Sequence, residues 1–241
     1  MKVALIAPDS MIRWAEKGSM YFILTRVVDN KELRKFFASQ KKYKMLDNGV
    51  YETGFPLAGD ELLQVAREVK ADEVVAPDFF QQRQPTFEAT RDFIDCYDPK
   101  KKGFKVCAVP QAKDPLEFIE AYKQMKELEV DVLSIPIWLQ KFYRARPAVV
   151  GYLRKKKIWD ETKEHHLLGL DGIGELYAYE PGTFRSVDTS LPFSLTYNGV
   201  WQSFGDFSGK RVPMDCKPFT KTQELLLARH IAALLEAASY V

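Results

Sequence analysis

The chain has 241 residues, enough for one large α/β domain or two small ones, and its 46% hydrophobic and 28% charged residues suit a globular chain and exclude a disordered one. Lys and Arg number 35 against 33 Asp and Glu, so the formal charge of +2 argues neither for nor against a nucleic-acid partner. The three cysteines, Cys96, Cys107 and Cys216, lie far apart with no Cys-x-x-Cys pair; this indicates neither a structural zinc site nor a disulfide framework, and it fits a reducing cytoplasm.

The first apolar run, VALIAP (3–8), stops at Pro8 and Asp9. It is too short and its surroundings too polar for a signal peptide or a membrane span, so it reads as a first strand. MYFILTRVV (20–28) follows as the second strand, and Asn30 then caps a helix over KELRKFFASQ. KYKMLDNG (42–49) is the third strand, and Gly59 and Asp60 open a helix with Leu62, Val65, Ala66 and Val69 on one stripe. EVVAPDF (73–79) precedes a helix whose start is marked by Pro85 and Thr86. KVCAVPQ (105–111) precedes a helix with Asp114 as cap, Pro115 at its first position and Glu117 in its first turn. DVLSIP (131–136) leads into a basic, partly helical stretch over 140–157. HHLLGLDG (165–172) and RSVDTSLPF (185–193) are the last strands, an irregular excursion covers 194–219, and a C-terminal helix runs over about 220–239. Thr220 or Thr222 caps that helix, and Leu226, Ala233, Leu234 and Ala237 keep helical spacing.

Eight near-continuous apolar runs alternating with helical stretches predict parallel strands buried on both faces, and hence a single-domain (β/α)8 TIM barrel over 1–241. An open doubly wound sheet would carry a Gly-rich phosphate loop after an early strand. The Gly spacing of GLDGIG (169–174) comes too late in the chain to serve as one.

Four acidic or amide residues close apolar runs: Asp47, Asp78, Gln111 and Asp188. Strand ends on one face of a barrel build its active site, so this placement points to chemistry. Asp188 can attack an anomeric carbon as a nucleophile, or simply cap the turn after its strand. Asp47 in Asp-Asn-Gly can serve as general acid and base, or belong to a structural turn. Asp78 can accept two hydrogen bonds from a purine edge, and the Gln111 amide can donate to a carbonyl; a turn cap and a backbone-bonded loop residue are the structural alternatives. Tyr51, Phe79 and Phe80 offer flat rings that could sandwich a heterocycle, although a core role suits any single ring better. Glu52 lies close to Asp47 and is the one candidate for the acid of a two-carboxylate glycoside hydrolase. His165, His166 and His230 show no metal-ligand spacing and read as structural or surface residues. The stretch holding Arg144, Arg146, Arg154, Lys155, Lys156 and Lys157, with Tyr143, Tyr152 and Trp159 among them, suits contact with a phosphate backbone.

In this order, Asp47-Asn48-Gly49, Asp78, Val109-Pro110-Gln111, HHLLGLDG and Asp188 with Leu191-Pro192 resemble the strand-end motifs of the tRNA-guanine transglycosylase family, over roughly residues 3–200. The family's tRNA-modifying members carry a zinc site of three Cys and one His after the barrel, whereas this chain has only Cys216 and His230 there. The Gly-Gly pair after the family's sixth strand is replaced by Ser134-Ile135-Pro136. Those departures and the short chain are most similar to the small phage enzymes that insert 7-deazaguanine bases into DNA. The resemblance implies exchange of guanine in DNA for a free 7-deazaguanine base of the preQ0 type. It implies Asp188 as nucleophile, Asp47 as acid and base, and Asp78 and Gln111 on the guanine edge, with Asn48, Gly49, Phe79 and Gly169 completing the substrate site. It implies no metal and no cofactor, with DNA and the free base as partners, no membrane, and a cytoplasmic location (the host's, if the protein is viral). Arg144, Arg146, Arg154, Lys155, Lys156 and Asn198 are the candidates for backbone contact. A tRNA substrate, or an inactive nucleic-acid-binding barrel, are the alternatives.

Overall fold

The structure is a computed structural model and describes residues 1–201 and 205–241. Eight strands form one parallel sheet: β1 (Lys2–Leu5), β2 (Tyr21–Ile23), β3 (Lys44–Leu46), β4 (Glu73–Val75), β5 (Lys105–Ala108), β6 (Val132–Pro136), β7 (Glu164–Leu168) and β8 (Ser186–Thr189). Their order is β1-β8-β7-β6-β5-β4-β3-β2, so from β2 to β8 each strand lies beside its neighbour in sequence and the first lies beside the last; β1 meets the chain just before β2 through the parallel bridge of Ala4 with Met20. With helices between the strands, this is the (β/α)8 barrel the sequence predicts.

The strands are shorter than the apolar runs that announced them. The expected second strand over 20–28 is β2 at Tyr21–Ile23, after which Thr25–Val27 forms a 3-10 turn. Proline ends others. Pro77 and Pro110 lie just beyond β4 and β5, where a residue without an N–H cannot extend a ladder. The apolar runs continue because the strand ends are buried as well: Ala76, Val109 and Ala112 are all in the core.

The chain divides into two compact units. One joins residues 1–21 to 167–241. In it β1 pairs with β8 from Lys2 opposite Ser186 to Leu5 opposite Thr189, and α8 (Leu191–Tyr197) and α9 (Lys221–Ser239) pack on each other. Thr220 and Gln223 form a capping box at the start of α9. The buried stripe of α9 is Leu227, His230, Ile231, Leu234 and Ala237; Leu226 lies at its margin. Residues 194–197, expected in the irregular excursion, are the end of α8. The described remainder, 198–201 and 205–219, holds neither helix nor strand; the remaining residues, 202–204, lie outside the described chain.

The other unit is the continuous stretch 22–166. It holds β2 to β6 and seven helices: α1 (Lys31–Ser39), α2 (Val50–Thr53), α3 (Gly59–Val69), α4 (Arg83–Tyr97), α5 (Pro115–Met125), α6 (Trp138–Tyr143) and α7 (Arg146–Lys155). Asn30 and Asp114 cap α1 and α5 as expected, each side chain accepting from two backbone N–H groups. Helix α4 starts earlier than Pro85-Thr86 suggest. Pro85 sits in its first turn, where a backbone N–H would have no partner anyway. Thr86 is not a cap: its hydroxyl accepts from Phe79 N at 2.9 Å and donates to Phe79 O at 3.1 Å.

Candidate functional site

Within the continuous unit, Asp47, Asp78, Gln111 and Trp138 follow the C-terminal ends of β3, β4, β5 and β6. That is the end at which barrels carry their chemistry. Gly49 makes the turn after β3 with φ +87°, and a Cβ there would come within 2.6 Å of the Thr25 side chain, so only glycine fits. The turn directs Asn48 inward. Its amide donates to Ala76 O at 2.7 Å and to Asp78 Oδ1 at 2.5 Å, while its Oδ1 accepts from Val50 N at 3.0 Å.

Asp78 is buried and held from two sides, by Asn48 on Oδ1 and by Gln111 Nε2 on Oδ2. Burial raises its pKa from 3.8 to about 6, against the opposing pull of those two hydrogen bonds. Gln111 has a fixed amide orientation. Its Oε1 accepts from Gln81 N at 3.2 Å and from the Trp138 indole N–H at 3.1 Å, which fills both lone pairs. Flipping the amide would place oxygen against the Asp78 carboxylate and NH2 against two donors. One Gln111 N–H is therefore left over beside a carboxylate that has spare acceptor capacity. The cluster can present a donor and an acceptor side by side to a ligand. Phe79 is half-buried next to it, and Asp47 is buried with its backbone N–H bonded to Ile23 O at 2.9 Å. Glu52 projects from α2 at an exposed position. Ser134 is buried on β6 with its hydroxyl 3.0 Å from Cys107 Sγ, a contact between neighbouring strands.

In the other unit, Asp188 is buried on β8 and its Oδ1 accepts from Gly169 N at 2.8 Å. Gly169 has φ +75°, so the sequence needs glycine there to aim that N–H. The next strand residue, Thr189, donates to Leu170 O at 2.8 Å and accepts from Leu191 N at 2.9 Å, which fixes the loop after β7 and the start of α8. Asp171 is buried and paired with Arg211, and its carbonyl accepts from Phe207 N at 2.7 Å. Sequence reasoning missed this pair, because its partners are forty positions apart in segments without periodicity. GLDGIG is thus a docking point for the excursion, with Gly172 against Gly205, and not a phosphate loop.

The backbone-contact candidates divide. Arg144 is exposed at the end of α6. Arg146 is fully buried at the start of α7, its Nη1 donating to Ile135 O at 3.2 Å, so it is no surface cation. Arg154, Lys155 and Lys156 fall at the C-terminal end of α7, which leads into the N-terminal end of β7; that is the barrel end opposite the Asp78 cluster. Asn198 caps the end of α8, and both its N–H bonds are taken, by Ser194 O and Lys210 O at 2.7 Å each, leaving nothing to donate to a phosphate.

His165 and His230 are buried and bonded to Tyr122 and Thr196, and His166 stacks on Phe22. These are structural roles, as expected. Among the described residues no group of three or more His, Cys, Asp or Glu is placed to hold a metal ion, and no helix is long and apolar enough to cross a membrane. No protein-family model matches the chain, and no curated protein sequence matches it significantly.

Proposed function

We propose that this barrel is a guanine transglycosylase acting on DNA, which replaces a guanine in the polymer by a free 7-deazaguanine base. The observation that carries the reading is the fixed donor–acceptor pair of Gln111 and Asp78. A guanine-type edge offers a carbonyl to the remaining Gln111 N–H, and its ring N–H and exocyclic amine to Asp78. An adenine-type edge offers an amine where Gln111 also donates. The locked amide disfavours that edge, since an unmatched buried donor costs about 1–3 kcal/mol.

The chemistry then follows in two balanced halves. An Asp188 oxygen forms a bond to C1′ of the target nucleotide as the bond from C1′ to the guanine nitrogen breaks. The bonding pair leaves with guanine, and Asp47 protonates it. In reverse, Asp47 takes the proton from the incoming base, whose nitrogen attacks C1′ and displaces Asp188. One N-glycosidic bond is exchanged for another, so the step needs no external energy source. The Gly169 N–H donates to Asp188 Oδ1 and steadies the attacking carboxylate. The target base must leave its stack to reach buried groups.

The test is base exchange with labelled 7-deazaguanine base against duplex DNA, single-stranded DNA and tRNA. Label entering DNA, lost in Asp188→Ala while base binding persists, is the expected result. Exchange undiminished in Asp188→Ala refutes the mechanism; label in tRNA alone refutes the substrate.

A further inference from the structure

The Asp78 cluster is continued outward by an aromatic surface that the chemistry above leaves unused. Phe80 and Phe142 are 45% and 54% exposed, and their rings meet edge to face with centroids 6.4 Å apart. Each lies on a segment anchored to the same Gln111 oxygen. Phe80 precedes Gln81, whose N–H bonds Gln111 Oε1 and whose backbone is left-handed with φ +57°. Phe142 stands on α6, the helix that Trp138 opens and whose indole N–H holds the same oxygen. Tyr143 braces the end of α6, with its ring on Trp138 and its hydroxyl donating to Lys113 O at 2.7 Å. An isolated exposed phenylalanine means little, but a fixed, solvent-facing pair beside a buried hydrogen-bonding cluster marks a contact surface.

Charge selects the occupant. Lys141 on α6 and Arg144 just beyond its end flank Phe142, and among the described residues neither has a carboxylate within ion-pair distance. From 132 to 159 the chain contains no Asp or Glu, and none occurs from 79 to 87. The acids at the neighbouring start of α5 are engaged: Asp114 caps the helix, and Glu117 in its first turn accepts from Lys113 N at 2.9 Å. Exposed flat rings with uncompensated cations are what unstacked bases on a phosphate chain require.

Resting on the proposed DNA substrate, we infer that Phe80 and Phe142, with Lys141 and Arg144, form a stacking platform for the unpaired bases next to the target nucleotide. This makes a DNA single strand the preferred substrate. In a duplex the bases stack on each other and hide their faces, so the rings have nothing to grip.

The test uses the full chain and fluorescence anisotropy with a labelled oligothymidylate, which contains no guanine and so does not depend on the Asp78 cluster. The same strand annealed to oligoadenylate is the duplex probe, and oligouridylate is the RNA probe. The single strand is expected to bind at least about tenfold tighter than the duplex, and the double variant Phe80→Ala/Phe142→Ala to lose about tenfold or more of that affinity. The double variant Phe80→Trp/Phe142→Trp keeps it, and unchanged melting temperatures show that both variants fold. Equal affinity for duplex and single strand, indifference to the alanine pair, or tighter binding of oligouridylate each overturn the inference. Failure of base exchange alongside ring-dependent oligothymidylate binding would sink the transglycosylase reading and leave the platform standing.

Discussion

Asp78 gives the most direct physical test of the site, because its raised pKa links folding to pH. The folded carboxyl holds its proton up to about pH 6, whereas the unfolded chain releases it near 3.8. Below 3.8 both states are protonated and the linkage vanishes. Between 3.8 and 6 the folded state binds the extra proton, so stability falls as pH rises through this window and levels off above it. A shift of about two pH units corresponds to about 3 kcal/mol at 1.4 kcal/mol per unit. Asp78→Asn removes the titrating group while keeping its shape. The assay is urea unfolding of both proteins from pH 4.5 to 8, taking the stability of the parent minus that of the variant at each pH. Other groups cancel in the difference. His165 is one of them: burial lowers its pKa to about 3, which weakens both proteins alike as pH falls below 6.5. The difference is expected to decline by roughly 1.4 kcal/mol per unit up to about pH 6 and then stay flat. A difference constant across the whole range would show that Asp78 is solvated or paired otherwise, and would remove the premise of a buried carboxylate poised for a ligand.

Ligand affinity should carry the opposite sign. A base that donates two hydrogen bonds to Asp78 needs the carboxylate, so calorimetry should find 7-deazaguanine affinity rising up to tenfold per unit towards pH 6 and level above it; a flat profile from pH 5 to 8 contradicts the assigned contact. Gly49→Ala combines a left-handed backbone with a Cβ driven into Thr25, so chemical denaturation should show a loss of at least about 1–3 kcal/mol. Substitution at no cost would mean that the turn after β3 can open. Thr220→Ala removes one half of the capping box of α9 and should cost about 1 kcal/mol, read as a fall in denaturation midpoint with unchanged slope.

What the sequence disclosed depended on how local the governing physics was. The caps Asn30, Asp114 and Thr220 were readable because a cap is a bond between residues two or three apart. The eight strands were readable because parallel strands buried on both faces produce apolar runs, but their ends were not. Burial continues past the ladder, and Ala76 and Val109 are as buried as the residues that pair. The carboxylates and amide at the strand ends were readable by type and place. Their connections were not: Asn48 sat in a turn signal and is also a donor to Asp78, and Trp138, which no sequence pattern singled out, locks Gln111. Arg146 shows the limit from the other side. A cation in a basic stretch reads as surface, and only the packing of α7 on its unit turns its guanidinium towards the Ile135 carbonyl.

The division of the chain also sets an order of events during synthesis. Residues 22–166 are one uninterrupted stretch, so this unit has all its contacts once it clears the ribosome. The other unit cannot close then. Strand β1 waits for β8, and the Gly169 N–H that steadies Asp188 exists in place only when both late segments have been made. The nascent protein therefore holds the Asp78–Gln111 cluster before the Asp188 carboxylate is fixed in place. Protease treatment of chains stalled after His166 has left the ribosome but before β8 has emerged should find 22–166 protected and β1 cleavable; protection of β1 in those chains would contradict this order.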